Sequence, residues 1–178
     1  MRFFLLTLIF SIFLFGCENK PVSYPSGSIE TSAYFSPKGG CTREIVNLIN
    51  HSHRNIDIAI YSFTSRRIAK ALIDAHNRGV KVRVIIDEGN GKSRFCVGPL
   101  LQSAGIEVRY KRGSGGGLMH NKYAIYDNKI VSTGSFNWTG SAERRNDENL
   151  VVIKNNGKLI KLYRKNFEKL WKLAGLTN

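Results

Sequence analysis

Two hydrophobic periods take turns along the chain from about residue 31 onward, one of two residues and one of three to four. A short strand is expected at Ala33 to Phe35, then a helix opened by Thr42 that turns Ile45, Leu48 and Ile49 inward. Ile56, Ile58 and Ile60 alternate with Asp57 and Ala59 as a strand does, up to Tyr61. Ser65 then caps a helix whose Ile68, Leu72 and Ala75 share a face until Gly79 ends it. Val80 to Ile86 reads as a buried strand, Asp87 to Lys92 as a polar loop, Val97 to Ser103 as a helix stopped by Gly105, and Ile106 to Tyr110 as a strand. After a basic, glycine-rich loop from Lys111 to Gly117, two strands, His120 to Tyr126 and Ile130 to Thr133, flank a turn at Asp127-Asn128-Lys129. A strand from Asn149 to Ile153 and a closing helix from Lys158 to about Leu173 follow, with lysines 158, 161, 165, 169 and 172 on its solvent side and Leu159, Tyr163, Phe167, Leu170 and Trp171 on the other. Such alternation predicts an α/β fold, a layered α/β/α sandwich around a mixed sheet, with no tandem repeat.

The residues before position 31 do not fit this pattern. Arg2, an uncharged apolar run from Phe3 to Phe15, then Gly16 and Cys17 read as an export signal over residues 1–17. A run of 13 residues falls short of the roughly 20 that span a bilayer. Leu14-Phe15-Gly16-Cys17 resembles a bacterial lipobox, which makes Cys17 the candidate lipidation site and allows membrane contact through an N-terminal lipid anchor; plain secretion is the alternative. Residues 18–30 carry Pro21, Pro25 and Gly27 without an apolar period and read as a flexible linker, leaving residues 31–178 as one catalytic domain.

Composition adds a partner class. The 178 residues include 27 Lys and Arg against 13 Asp and Glu, a net charge of +14. Cutting before Cys17 removes only Arg2 among these, so the mature chain keeps 26 basic and 13 acidic residues, or +13. A surface of that sign concentrates polyanions such as nucleic acid or acidic lipid headgroups. In an oxidising compartment Cys41 and Cys96 form an even pair suited to a disulfide, the alternative being two unrelated small buried residues. Neither has a neighbouring Cys or His at ligand spacing, which disfavours zinc; no metal or other cofactor is expected.

On a strand from His120, His120 and Lys122 share a face. Beside a phosphate a neutral imidazole can attack phosphorus, while an ammonium neutralises the non-bridging oxygens. Gly134 offers close backbone approach to a ligand, and Ser135 and Asn137 offer short donors. His120-x-Lys122, four residues, Asp127, six residues, then Gly134-Ser135-x-Asn137 resembles the signature of the phospholipase D superfamily, and the element order is similar to its small single-motif nucleases. The resemblance implies His120 as nucleophile, Lys122 and Asn137 as phosphate clamps, Ser135 as a supporting donor and Glu148 as the residue that orients the imidazole. Asp127 belongs to the motif, but its parity and its place at the turn suggest support for the hairpin. A single motif implies a homodimer whose shared active site contains both copies of His120.

Other readings fall behind. Gly134-Ser135-Phe136-Asn137 lacks the second glycine of a serine-hydrolase elbow. Asp87 with Glu88, and Asp147 with Glu148, are adjacent pairs that point to opposite faces and suit solvated or orienting roles better than a two-metal centre. His51, His53 and His76 read as satisfied core residues. Lys111 and Arg112, just ahead of the catalytic strand, are candidates for following a phosphate backbone. The expected function is an exported, metal-independent phosphodiesterase, foremost a nuclease that is not sequence-specific. A lipid phosphodiesterase and a non-catalytic basic binding module are the alternatives.

Overall fold

In the computed structural model, which describes residues 27–175, all strands join one sheet. The export segment, Cys17 and most of the linker lie outside the described residues. The elements are β1 (Glu30–Ser36), α1 (Cys41–Asn50), β2 (Asn55–Ile60), α2 (Arg66–Asn77), β3 (Lys81–Asp87), α3 (Glu88–Gly91), α4 (Gly98–Ser103), β4 (Glu107–Lys111), β5 (Lys122–Tyr126), β6 (Ile130–Gly134), α5 (Gly140–Arg144), β7 (Glu148–Lys154) and α6 (Gly157–Ala174). Spatial order is β1-β7-β6-β5-β2-β3-β4. β2, β3 and β4 run parallel, whereas β5 pairs with β2 antiparallel and the β5-β6-β7-β1 half is antiparallel throughout. The sheet is therefore mixed, as expected.

Both faces are covered, which makes the sandwich. Ile56, Ile58 and Ile60 of β2 pack with Ile45 and Ile49 of α1, Ile68 and Leu72 of α2, Leu101 of α4 and Ala142 of α5. On the opposite face Ala59, Ile85, Tyr123, Ile125 and Val131 meet Ile160, Phe167, Leu170 and Trp171 of α6. Each Ile, Leu, Val or Phe side chain so removed from water contributes about 1.5–3 kcal/mol. Covering the second face also buries Asp57, and it is tolerated because Arg83 grips its carboxylate at 2.7 and 3.0 Å. Arg83 also reaches Glu168 at 2.7 Å and lies over the Phe167 and Trp171 rings, tying α6 to the sheet. The two carboxylates outweigh the cost of burial and raise the guanidinium's pKa further, so this charge persists at any accessible pH.

Several local expectations are corrected by contacts distant in sequence. β1 starts at Glu30, because pairing with β7 extends it toward the linker. α1 starts at Cys41, and its Thr42 N–H is capped from afar by the Glu143 carboxylate at 2.9 Å. The polar stretch after β3 contains the helical turn α3, nucleated by Asp87 accepting from Asn90 N–H at 3.1 Å. α5 carries no sequence signal, since five residues are too few to show a period. His51 and His53 are exposed and His76 is half-buried, so none is a core residue.

Cys41 and Cys96, open between a disulfide and two unrelated residues, are both free thiols in the structure. Cys41 is fully buried at the start of α1, where burial and then the Glu143 charge push its thiol up to about 11. Cys96 is half-buried, accepts a hydrogen bond from Gly98 N–H and is also raised by burial. Thiols held protonated in this way are poor nucleophiles.

Candidate active site

The motif residues gather at one end of the sheet because antiparallel pairing places the start of β5 and β7 beside the end of β2 and β6. Ile60 stands opposite Lys122, and Gly134 opposite Leu150. β5 begins at Lys122, two residues later than expected. His120 thus belongs to the entering segment, yet Asn121 continues the pairing by accepting from Tyr61 N–H at 2.8 Å. Leaving the strand exposes His120.

The imidazole rests against the Tyr61 ring, with centroids 4.3 Å apart. Lys122 Nζ lies over the same ring at 4.7 Å, stands 3.0 Å from His120 Nδ1 and donates to the His120 carbonyl at 2.8 Å. Burial lowers the Lys122 pKa, while the charges of Glu148 and Asp87 oppose that shift. An ammonium in this state is short of hydration, which suits it to a phosphate.

The second half of the motif is locked to the loop after β2. Asn137 Oδ1 accepts from Ser62 N–H at 3.3 Å, one residue beyond Tyr61, and this leaves its amide N–H groups for another acceptor. Trp138 exchanges backbone bonds with Ser62, Thr64 and Ser65, and its ring meets Phe63 edge-on at 5.0 Å. Ser135 Oγ accepts from Asn149 N–H at 3.1 Å, so its own hydrogen is available to donate. Gly134 is also required by the fold itself: with φ of 149°, a Cβ there would stand 2.2 Å from the Asn149 carbonyl of β7.

Glu148 does not reach the imidazole: its Oε1 accepts from Asn146 Nδ2 at 3.1 Å, and Nδ1 of His120 faces Lys122 instead. Among the described residues, no three His, Cys, Asp or Glu side chains converge as a metal-binding set.

Against this geometry, the family described as "Cardiolipin synthase, PLD-like domain" matches residues 45–171. The chain belongs to the phospholipase D-like family. A "Phospholipase D" of Rickettsia felis is 41% identical over 124 residues, 70% of this chain and 61% of that protein, so the chain spans about three fifths of that relative's length. A "Mitochondrial cardiolipin hydrolase" of Xenopus tropicalis is 35% identical over 153 residues, 85% of this chain and 70% of that one. Among solved structures, the phospholipase D family member Nuc of Salmonella typhimurium superposes with a TM-score of 0.76 at 33% identity, covering 82% of this chain and 95% of its own. NucT from Helicobacter pylori gives 0.75 at 28% identity, with 82% and 97% covered.

The structure places two further residues of this phospholipase D-like site where sequence reasoning did not. Asp87 is buried at the end of β3, and its Oδ2 accepts from Met119 N–H at 3.0 Å, fixing the segment that enters His120. Tyr61 supplies the surface on which both His120 and Lys122 rest, and only the pairing of β2 with β5 brings it there. Lys111 departs from its expected place: it closes β4, is 6% exposed and spends its ammonium on the Arg112 carbonyl at 2.7 Å. Arg112 is exposed at the start of the loop.

Asp127 lies at the far end of the hairpin from His120. Positive φ values at Asp127 (50°) and Asn128 (56°) reverse the chain as a type I′ turn requires. Its carboxylate accepts from the backbone N–H groups of His53, Arg54 and Asn55 at 2.9, 2.7 and 3.0 Å, tethering the turn to the start of β2. Burial opposes its ionisation, but these three donors and Arg54 outweigh it and hold the carboxyl below its usual range. A depressed carboxylate pKa stabilises the fold above the unfolded value of about 3.9, and that contribution is lost as pH falls through the folded value. Asp127→Asn should therefore cost about 2 kcal/mol at pH 7. Urea unfolding at pH 7 and at pH 3 tests this: the gap between variant and wild type must narrow at the lower pH, and an unchanged gap would refute the charge's role.

Proposed function

We propose that the protein is an exported phosphodiesterase that cleaves nucleic acid, without sequence specificity and without a metal ion, through a phosphohistidine on His120. The observation that carries this reading is an exposed imidazole packed at a tilt against Tyr61 with a partly desolvated ammonium 3.0 Å from its Nδ1. A substrate phosphate is a stronger partner for Lys122 than the imidazole is. As Lys122 turns to it, Nδ1 is released to hold the ring proton and the Nε2 lone pair is free to attack. The amide of Asn137 and the hydroxyl of Ser135 are the remaining donors for the phosphate oxygens.

Attack forms a phosphorus–nitrogen bond and breaks the phosphorus–oxygen bond to the leaving alcohol, which takes its proton from a second imidazole. Water then gives that proton back as it attacks phosphorus, releasing a phosphate monoester and restoring His120. The second imidazole comes from His120 of another copy in a two-fold dimer, because His51, His53 and His76 lie on elements at other places in the fold. Glu148 offsets part of the Lys122 charge, and orienting the His120 imidazole would require its carboxylate to leave Asn146.

Nucleic acid is favoured by the +13 mature charge. A lipid diester is the second reading, supported by the names of the Rickettsia and Xenopus relatives and by Cys17 as an anchor. Among the described residues no helix is long and apolar enough to cross a membrane. The test is the purified mature protein incubated with labelled DNA, labelled RNA and phosphatidylglycerol or cardiolipin vesicles, with and without excess chelator. Nucleic acid should be cut equally in both conditions. Cleavage lost in chelator and restored by a divalent ion would overturn the metal-free mechanism, and turnover of lipid alone would move the substrate to the second reading.

A further inference from the structure

Beside the site lies a concave groove of about 450 Å³ that the chemistry above does not use. The connection between α3 and α4 forms one wall with Arg94 and Phe95, and the start of α2 with Thr64 and Arg66 and the two ends of α5 with Gly140 and Arg144 form the others. No acidic side chain lines it. The ion pairs among the described residues engage Lys70, Arg83, Lys92 and Lys154, so none of these three arginines has a carboxylate partner. Three exposed guanidiniums repel one another, and their convergence leaves an anion as the natural occupant. Gly140 lets Arg144 fold across it: a Cβ there would stand 2.6 Å from the guanidinium.

The second feature is aromatic. Phe95 is 63% exposed, although burying a phenyl ring is normally favourable. The Arg94 guanidinium lies 4.6 Å from its ring centroid and holds it in place while leaving ring surface open. Alternating arginine and an open aromatic face is the combination that takes phosphates and unpaired bases together.

The groove is coupled to the catalytic end through backbone. Val97 N–H donates to the Phe63 carbonyl at 3.1 Å, and Thr64 and Ser65 N–H groups donate to Trp138, the residue after Asn137. Thr64 is three residues beyond Tyr61, at most about 11 Å along the chain, or about three nucleotides at roughly 3.4 Å of rise each.

We propose that this groove binds the single-stranded continuation of a nucleic acid whose scissile phosphate lies at His120, with Arg66, Arg94 and Arg144 on backbone phosphates and Phe95 stacked on an unpaired base. The proposal rests on the nucleic-acid reading above. A duplex presents no open base face to Phe95, so the groove confers a preference for single strands. A membrane would call for apolar side chains that project from a convex surface, whereas Phe95 borders a concave, arginine-lined floor.

Binding is measured in a His120→Ala background, which removes turnover, using fluorescence anisotropy of a labelled 20-mer single strand, the same sequence as duplex, and phosphatidylglycerol vesicles, each across a salt series. Phe95→Ala should weaken the single strand about tenfold and leave the duplex nearly unchanged. Arg66→Ala with Arg144→Ala should lower the slope of log affinity against log salt by about 1.4 for the single strand, as two lost phosphate contacts require. In the presence of His120, both variants should retain turnover of bis(p-nitrophenyl) phosphate, a diester too small to reach the groove. Equal loss on duplex and single strand, no loss on either, or loss confined to vesicles would overturn the groove's assignment. A parent protein that binds no nucleic acid in any form would instead overturn the substrate reading before any groove variant is made.

Discussion

Replacing His120 with alanine is expected to lower phosphodiester cleavage by roughly four to six orders of magnitude while leaving the fold intact. The side chain is exposed and meets Tyr61 and the Lys122 ammonium, so its loss opens no cavity, and thermal unfolding of the variant should match the wild type. The same variant tests the shared site. If two copies of His120 serve one phosphate, a mixed dimer holds one imidazole and cannot complete the cycle. Equal amounts of variant and wild type, after verified exchange, should then show about a quarter of the activity of the same total of wild type, since only wild-type pairs work at random pairing. Activity of one half, or a fully active monomer by mass in solution at assay concentration, would remove the dimeric mechanism.

The second large effect is expected at Lys122. Lys122→Ala should lower kcat by about 10²–10³-fold, the usual cost of removing a preorganised partner of the charge that develops at the reacting centre. Because burial lowers the Lys122 pKa, its ammonium, followed by NMR in the free protein, should titrate below the ordinary lysine range of about 10.4. The sign is fixed at Glu148, whose charge raises the Lys122 pKa. Glu148→Gln should therefore lower that titration further. A titration that stays put or moves up would show that the Glu148 charge does not act on Lys122.

The division of labour between sequence and tertiary structure can be seen residue by residue. β2 and α2 were legible because Ile56, Ile58 and Ile60 repeat at two, and Ile68, Leu72 and Ala75 at three to four, and burial of one face enforces those periods locally. The identity of the motif was legible for a similar reason: His120, Lys122, Asp127, Gly134, Ser135 and Asn137 lie on one hairpin and its exit, so their spacing in the chain reflects their spacing in space. Lys111 shows the limit of proximity as a guide. It adjoins the loop in sequence, but its register opposite Asp87 at the close of β4 buries it.

What the chain pattern could not reveal was anything made by partners far apart in sequence. Glu143 caps α1 from 101 residues away, and Asp127 tethers β2 across more than 70. Tyr61 comes beneath His120 through a β2-β5 pairing that no local period encodes, and Asp87 holds Met119 across 32 residues. The groove of Arg66, Arg94, Phe95 and Arg144 draws on three separate segments. Residue types and their local spacing thus determined which elements form and which hairpin carries the reactive groups, because steric and hydrophobic preferences act within a turn or a strand. Only the assembled sheet decided how those groups are oriented, desolvated and supported, because those effects depend on which strand ends and loops the sheet order brings together.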